Sequence, residues 1–208
     1  MKKFTLLVLS LFAVFAFSSS AYCGAGPYVS FNAGVSMPAD SDVNYSTGEI
    51  VEIESDAGFA GGVALGYDFG NNLRLEGEIS YLSNEVDKAT YLGINRATTG
   101  DVTSIAFLIN GYYDFKNSTP FTPFISAGAG LANVEVDDFT FVGSGLPTVS
   151  DDDTVFAYQL SAGVGYAVTD QLSLDVKYRY FATADPGVNT AEYEYGSHGV
   201  LVGLRFGF

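Results

Sequence analysis

The feature that most constrains this chain is a two-residue alternation of apolar side chains with polar or very small ones. Successive side chains of a β-strand point to opposite faces, so this period predicts strands with one apolar face. Eight segments show it: residues 28–37, 58–69, 73–83, 102–115, 123–134, 155–168, 172–181 and 199–208. Aromatic residues make up 15% of the sequence and charged residues only 16%, which also favours strands. The sequence therefore predicts an all-β fold.

The connections between these segments alternate in length. Those at residues 70–72, 116–120 and 169–171 are short, whereas those at 38–56, 84–100, 135–153 and 182–196 are long. Consecutive antiparallel strands place all short connections at one end and all long ones at the other, as in membrane barrels with periplasmic turns and extracellular loops. We predict an eight-stranded antiparallel up-and-down transmembrane β-barrel. A soluble barrel is the alternative, and the four long loops at one end disfavour it.

The first residues have the pattern of a secretory signal: Lys2 and Lys3, a 14-residue apolar run, and small residues after it. A helix needs about 20 residues to cross a bilayer, so this run is too short for a stable span. Cleavage after Ala21, Cys23 or Ala25 fits the pattern. We place it after Cys23, which makes residues 1–23 a removed signal peptide and 24–208 the barrel domain. Lipidation of Cys23 is disfavoured by the bulky Tyr22 before it.

Charged side chains lie on the polar faces of the predicted strands. Strand three alternates Arg74, Glu76 and Glu78 with apolar residues, strand seven does the same with Asp175, Lys177 and Arg179, and strand eight adds Arg205. Buried charges persist only when they are paired. We predict that these seven residues form an ion-pair cluster in the lumen. It is interpreted as a structural plug, with a gate as the alternative, because eight strands enclose a space just wide enough for side chains.

Three sequence features are candidate chemical sites. Ser197 and His198 are adjacent, so they point to opposite faces of a strand and are badly placed for the Ser–His contact of an esterase. Asp151, Asp152 and Asp153 lack the spacing of an EF-hand and are interpreted as a solvated acidic run. Glycine-rich stretches lack a phosphate-loop pattern. We predict no catalytic, cofactor-binding or metal-binding residues.

The predicted long loops are strongly acidic. Their acids are Asp40, Asp42, Glu49, Glu52, Glu54 and Asp56 in loop one, Glu135, Asp137, Asp138, Asp151, Asp152 and Asp153 in loop three, and Asp185, Glu192 and Glu194 in loop four. Such loops repel nucleic acid and other anionic surfaces. The partner they predict is an extracellular ligand.

Four stretches resemble a known family. They are Gly66-Tyr67-Asp68-Phe69, residues 122–130, residues 174–180, and the ending at residues 200–208. They are similar to the OmpA-like and OmpX-like small outer-membrane barrels, also described as porin-family or surface-antigen barrels. The resemblance implies a bacterial outer-membrane location, contact with lipid, and periplasmic chaperones and the barrel-assembly machinery as partners during biogenesis. Leu204, Phe206 and Phe208 look like that machinery's recognition signal.

The function predicted from these observations is a non-enzymatic barrel with a structural or surface-contact role, exerted through its acidic extracellular loops. A narrow porin-like channel for ions or small solutes is the alternative. A membrane-embedded lipid A esterase ranks third.

Overall fold

The computed structural model describes residues 25–38, 42–44, 50–52, 57–85, 88–91, 94–141, 149–184 and 196–208. Its barrel strands are β1 (Gly26–Pro38), β2 (Gly58–Asp68), β3 (Leu73–Glu85), β4 (Ile94–Asp114), β5 (Phe121–Phe141), β6 (Val149–Ala167), β7 (Leu172–Thr183) and β8 (Gly196–Gly207). Short strands at Asp42–Asn44, Ile50–Glu52 and Lys88–Tyr91 accompany them. Within the described residues, no helix has the length and apolarity needed to cross a membrane. The predicted signal peptide, residues 1–23, lies outside the described residues.

The eight barrel strands form one closed antiparallel sheet. Each strand pairs with its neighbours in the sequence, from β1 with β2 through to β7 with β8. The last strand then pairs with the first, in a register that runs from Tyr28 opposite Gly207 to Pro38 opposite Ser197. The predicted fold class is confirmed. Because the sheet is closed, its strands form their backbone hydrogen bonds with neighbouring strands. Strands that cross a lipid bilayer must meet this requirement.

The short connections are tight turns fixed by local hydrogen bonds. Between β2 and β3, Gly70 and Asn72 take positive φ angles of 78° and 73°, a region that Gly enters freely and Asn tolerates. The Gly70 amide donates to the Asp68 carboxylate at 2.7 Å. Between β4 and β5, the Asn117 side chain accepts a hydrogen bond from the Thr119 amide at 2.8 Å. Turn residues of this kind therefore set the register of two hairpins.

Strands β4, β5 and β6 are longer than the sequence pattern predicted. β4 begins at Ile94 rather than Val102, β5 continues to Phe141 rather than Val134, and β6 begins at Val149 rather than Val155. These extensions make strand of parts of the predicted loops at residues 84–100 and 135–153. The alternation of apolar and polar residues marks a strand only where one face meets lipid, so the pattern fades where the sheet continues beyond the membrane.

Side chains alternate between lipid and lumen as predicted. The outer belt is apolar on every barrel strand, and Ile109 in the middle of β4 is 66% exposed to the surroundings. Aromatic pairs such as Tyr67 with Phe69 and Tyr113 with Phe115 lie at the end of the short turns, with ring centroids 5.2 and 5.1 Å apart. These rings form the periplasmic aromatic girdle. The lumen receives the opposite set of side chains.

The depth of the outer belt gives a first prediction. Ile109→Arg places a cation at mid-membrane and is expected to lower the free energy of unfolding by about 2–4 kcal/mol, whereas Thr103→Arg, on the same strand but above the belt, should cost about 0–1 kcal/mol. Urea unfolding in lipid vesicles, followed by circular dichroism because the chain has no tryptophan, measures both. Equal losses at the two positions would contradict the assigned membrane band.

Candidate functional site

The lumen near the short turns is filled by an ion pair enclosed in aromatic rings. Arg74 Nε and Nη2 each donate to a different oxygen of Asp114, both at 2.8 Å. The Arg74 guanidinium carbon lies 4.3 Å from the centre of the Tyr112 ring and 5.3 Å from that of Phe124. Tyr28 completes the enclosure, and its hydroxyl oxygen lies 3.4 Å from Arg74 Nη1. These five residues are named the periplasmic layer.

Inward-facing glycines make room for this layer and for the one above it. A Cβ on Gly66 would overlap the Tyr28 ring, and a Cβ on Gly128 would overlap the Asn110 side chain. Because the neighbouring strand supplies the large side chain in each case, small and large residues alternate around the barrel interior. The glycines on the inner faces of β2 and β5 therefore leave space for the large inward-facing side chains of the adjacent strands.

A second set of polar residues crosses the middle of the lumen. Glu78 Oε2 accepts hydrogen bonds from Asn110 at 2.7 Å and from Gln159 at 2.8 Å. Arg179 donates to the Ser80 hydroxyl at 3.0 Å, and its Nη1 lies 3.8 Å from Glu78 Oε1. We name these five residues the central network. Since they come from β3, β4, β6 and β7, the network ties opposite walls of the barrel together.

Charge is balanced along the lumen. In the described barrel interior, the cations are Arg74, Lys177, Arg179 and Arg205, and the carboxylates are Glu76, Glu78, Asp114 and Asp175. Arg205 lies 3.4 Å from Asp175, and Arg74 lies 3.8 Å from Glu76. A cavity of about 20 Å³ borders Arg74, Glu76 and Lys177. That volume holds about one water molecule.

Above the central network a cluster of apolar side chains occupies the lumen. Nine buried side chains from seven of the described strands meet there: Ala60, Leu82, Ala106, Leu108, Ala132, Val155, Ala157, Phe181 and Leu201. Leu201 has no exposed surface, and Leu82 and Phe181 are each 1% exposed. We call this cluster the apolar plug. It separates the polar layers on the periplasmic side from the extracellular end.

At the periplasmic end the lumen opens into a vestibule of about 260 Å³, lined by residues that include Asp68, Lys116, Asp170 and Arg205. Lys116 Nζ lies 3.3 Å from Asp68 at its edge. The vestibule ends at Tyr28 and Asp114, which belong to the periplasmic layer. It is an open cup and does not continue through the described barrel.

Comparison with known proteins identifies the chain. Residues 4–206 match the outer membrane protein beta-barrel domain family. The chain belongs to this family. It is 34% identical to outer membrane protein PagN of Salmonella typhimurium, over 89% of this chain and 86% of PagN. It is 28% identical to the adhesin-named protein RC1281 of Rickettsia conorii, over 74% and 69% of the two chains. The crystal structure of Neisserial surface protein A aligns with a TM-score of 0.59 at 26% identity, over 89% and 99% of the chains.

As a member of this family, the outer membrane protein lies in the bacterial outer membrane with its belt in lipid. The structure places the seven residues of the sequence-predicted cluster on the inner wall. They are divided between two levels: Arg74 and Glu76 lie toward the periplasm, whereas Glu78 and Arg179 lie in the central network. Their role as a structural plug stays a prediction.

Sequence reasoning missed two components of the lumen. Asp114 is absent from the predicted ion-pair cluster, although it is the bidentate partner of Arg74. The apolar plug was also missed. Its signal was present, because Leu82, Phe181 and Leu201 occupy positions that alternation assigns to the polar face. Large apolar residues there predict a dry section of the lumen.

The remaining candidate residues divide between the two faces of the sheet. Ser197 faces the lumen and hydrogen-bonds to Ser36, whereas His198 faces outward, with Nδ1 2.5 Å from the Tyr178 hydroxyl. The two therefore do not form a catalytic pair.

Leu204 and Phe206 face outward at the end of β8, and Phe206 contacts Phe208 with centroids 5.3 Å apart. Their role as an assembly signal stays a prediction. The side chains of Asp151 and Asp152 lie outside the described residues.

The central network gives a second prediction. Arg179 is 1% exposed, so Arg179→Ala leaves Glu78 with a weakened set of partners in a dry site and is expected to lower the free energy of unfolding by about 3–5 kcal/mol. Arg205→Ala is the matched control. Its side chain is 16% exposed beside the vestibule, so water can solvate the Asp175 carboxylate once Arg205 is removed. The loss of unfolding free energy should therefore be much smaller. Urea titrations of both variants measure the two losses of unfolding free energy. Equal losses would show that burial does not determine how much these ion pairs contribute to stability.

Proposed function

We propose that the protein is a sealed, non-enzymatic anchor in the outer membrane, whose acidic extracellular segments contact another surface. The apolar plug carries this proposal. Its side chains are at most 7% exposed and block the lumen above two polar layers. Because no open passage crosses the described barrel, we expect a partner to bind at the extracellular segments.

The charge of those segments defines the partner's chemistry. Residues 38–56, 135–153 and 182–196 together carry fifteen acidic residues and no lysine or arginine. Residues 84–100 are balanced, with two acids and two bases. Opposite charge speeds association and fixes its orientation, whereas like charge rejects a partner. We therefore propose a cationic surface as the extracellular ligand.

Two relatives support a surface role. RC1281 of Rickettsia conorii is named as an adhesin, and the Neisserial relative of known structure is named as a surface protein. The opposite placement of Ser197 and His198 supports the non-enzymatic part, since an esterase needs these groups within hydrogen-bond reach. The vestibule is the feature closest to a channel, and it ends at the periplasmic layer.

Conductance tests the sealed lumen. The purified protein, inserted into planar lipid bilayers, is expected to show no stable unitary conductance, because the apolar plug and the central network fill the described lumen and the cavity beside Arg74 has a volume of about 20 Å³. A general porin inserted in the same way serves as the positive control. Reproducible single-channel current steps from this protein would contradict the sealed anchor and support the alternative function of a narrow channel.

Loop charge gives a further prediction. In a laboratory bacterium displaying the protein, replacing the acids of residues 38–56 by Asn and Gln should reduce adherence to polylysine-coated beads severalfold, because the attraction to a cationic surface is lost. Asp170→Asn, in a turn at the opposite end of the barrel, is the control and should leave adherence unchanged. If neither the displayed protein nor its loops change adherence, the surface-contact role is wrong.

A further inference from the structure

The outer wall of the barrel carries a group of rings at the extracellular end of β7 and β8. Its members are Tyr158 on β6, Tyr178 and Tyr180 on β7, and His198 on β8. The His198 ring stacks on the Tyr178 ring with centroids 5.8 Å apart and lies 5.1 Å from the Tyr180 ring. Tyr158 lies 6.4 Å from Tyr180. We name these four residues the outer aromatic cluster.

One contact in this cluster places a base beside a phenol. The Tyr178 hydroxyl oxygen lies 2.5 Å from His198 Nδ1. When the imidazole carries its proton on Nε2, Nδ1 has a free lone pair and accepts the hydrogen bond that the phenol donates. The two residues share the outward face of adjacent strands: His198 stands opposite Tyr180, so Tyr178 is its diagonal neighbour.

Tyr178 is also open to small molecules dissolved in the lipid, because it is 50% exposed on the outer wall. Four other outward tyrosines have exposures of 40% to 45%: Tyr67, Tyr81, Tyr113 and Tyr166. Within the described part of the chain, the hydroxyls of those four form no hydrogen bond. Tyr28 and Tyr112, inside the lumen, are each only 5% exposed. Among the tyrosine side chains that the structure describes, Tyr178 therefore combines high exposure with a bonded base.

A bonded base makes a phenol easier to oxidise by one electron. A phenol that loses an electron becomes a strong acid, so its oxidation is favourable when the proton leaves with the electron. His198 Nδ1 is within hydrogen-bond reach and can take that proton directly. An outward tyrosine in lipid that has no such neighbour lacks an acceptor for the proton.

We propose that Tyr178 is the preferred site on this barrel for modification by small, lipid-soluble one-electron oxidants of the nitrogen dioxide class, with His198 as the proton acceptor. A first nitrogen dioxide radical takes an electron from Tyr178 and leaves as nitrite, while the phenolic proton moves to Nδ1. A second radical forms a C–N bond at the ring carbon next to the phenolic carbon. The hydrogen of that ring carbon moves to the phenolic oxygen, and the imidazolium releases its proton to water. The product is nitrotyrosine, and the inference does not depend on the proposed extracellular contact.

The experiment exposes the folded protein in lipid nanodiscs to nitrogen dioxide radical, generated by a haem peroxidase from nitrite and hydrogen peroxide. Peptide mass spectrometry measures the nitrated fraction of each tyrosine at low conversion. Tyr178 should be nitrated severalfold more than Tyr113, which has a similar exposure of 43% and lies at the other end of the membrane belt. A nanodisc leaves both ends open to the reagent. Equal nitration of the two tyrosines would overturn the proposal.

Two variants at position 198 separate proton acceptance from packing. His198→Phe keeps an aromatic ring against Tyr178 but removes the base. His198→Gln retains an oxygen that can accept a hydrogen bond, although an amide does not take up the proton. In both variants the nitration of Tyr178 should fall to that of Tyr113, and the nitration of Tyr113 should not change. Selective nitration of Tyr178 that persists in either variant would show that His198 is not the proton acceptor and would refute the proposal.

Tyr180 is the reference within the cluster. Its ring also contacts His198, but its hydroxyl forms no hydrogen bond to the side chains that the structure describes. Nitration of Tyr180 as strong as that of Tyr178 would mean that ring contact alone explains the reactivity, and the proposal would be wrong. Heat-modifiable migration in gel electrophoresis checks that each variant is folded. The comparison of Tyr178 with Tyr113 in the unaltered protein needs no variant at all.

Discussion

The backbone of this protein stands in lipid, and every strand within the membrane must therefore satisfy its amides and carbonyls from a neighbour. The pairing of β1 with β8 over eleven register positions meets that requirement by closing the sheet. Closure with eight strands leaves an interior just wide enough for side chains. The narrow interior limits the size and the charge of each inward-facing residue. Glycines lie beside the large side chains of Tyr28 and Asn110, and charged side chains need partners of opposite charge.

The lumen combines two solutions to filling that interior. Near the periplasm, charged groups are retained, and each is held by ion pairs, hydrogen bonds or aromatic faces, as Arg74 is by Asp114 and Tyr112. Nearer the extracellular end, apolar side chains such as Phe181 and Leu201 fill much of the same width. Paired charges and apolar packing together fill the described part of the lumen.

Beyond the membrane the requirement for complete pairing no longer applies, because water can satisfy a free strand edge. β4, β5 and β6 continue there while β7 ends at Thr183. The described strands β4, β5 and β6 therefore extend from the membrane into water.

The sequence by itself determined the strand count, the closed antiparallel class, the lipid and lumen faces and the end that carries the long loops, because alternation and turn residues are local signals. It also placed Arg74, Glu78 and Arg179 on the inner wall. It did not determine that Arg74 pairs with Asp114, or that Leu82, Phe181 and Leu201 meet in one plug. Those facts depend on the stagger between strands distant in sequence, and only the tertiary structure sets which inward side chains share a level of the barrel.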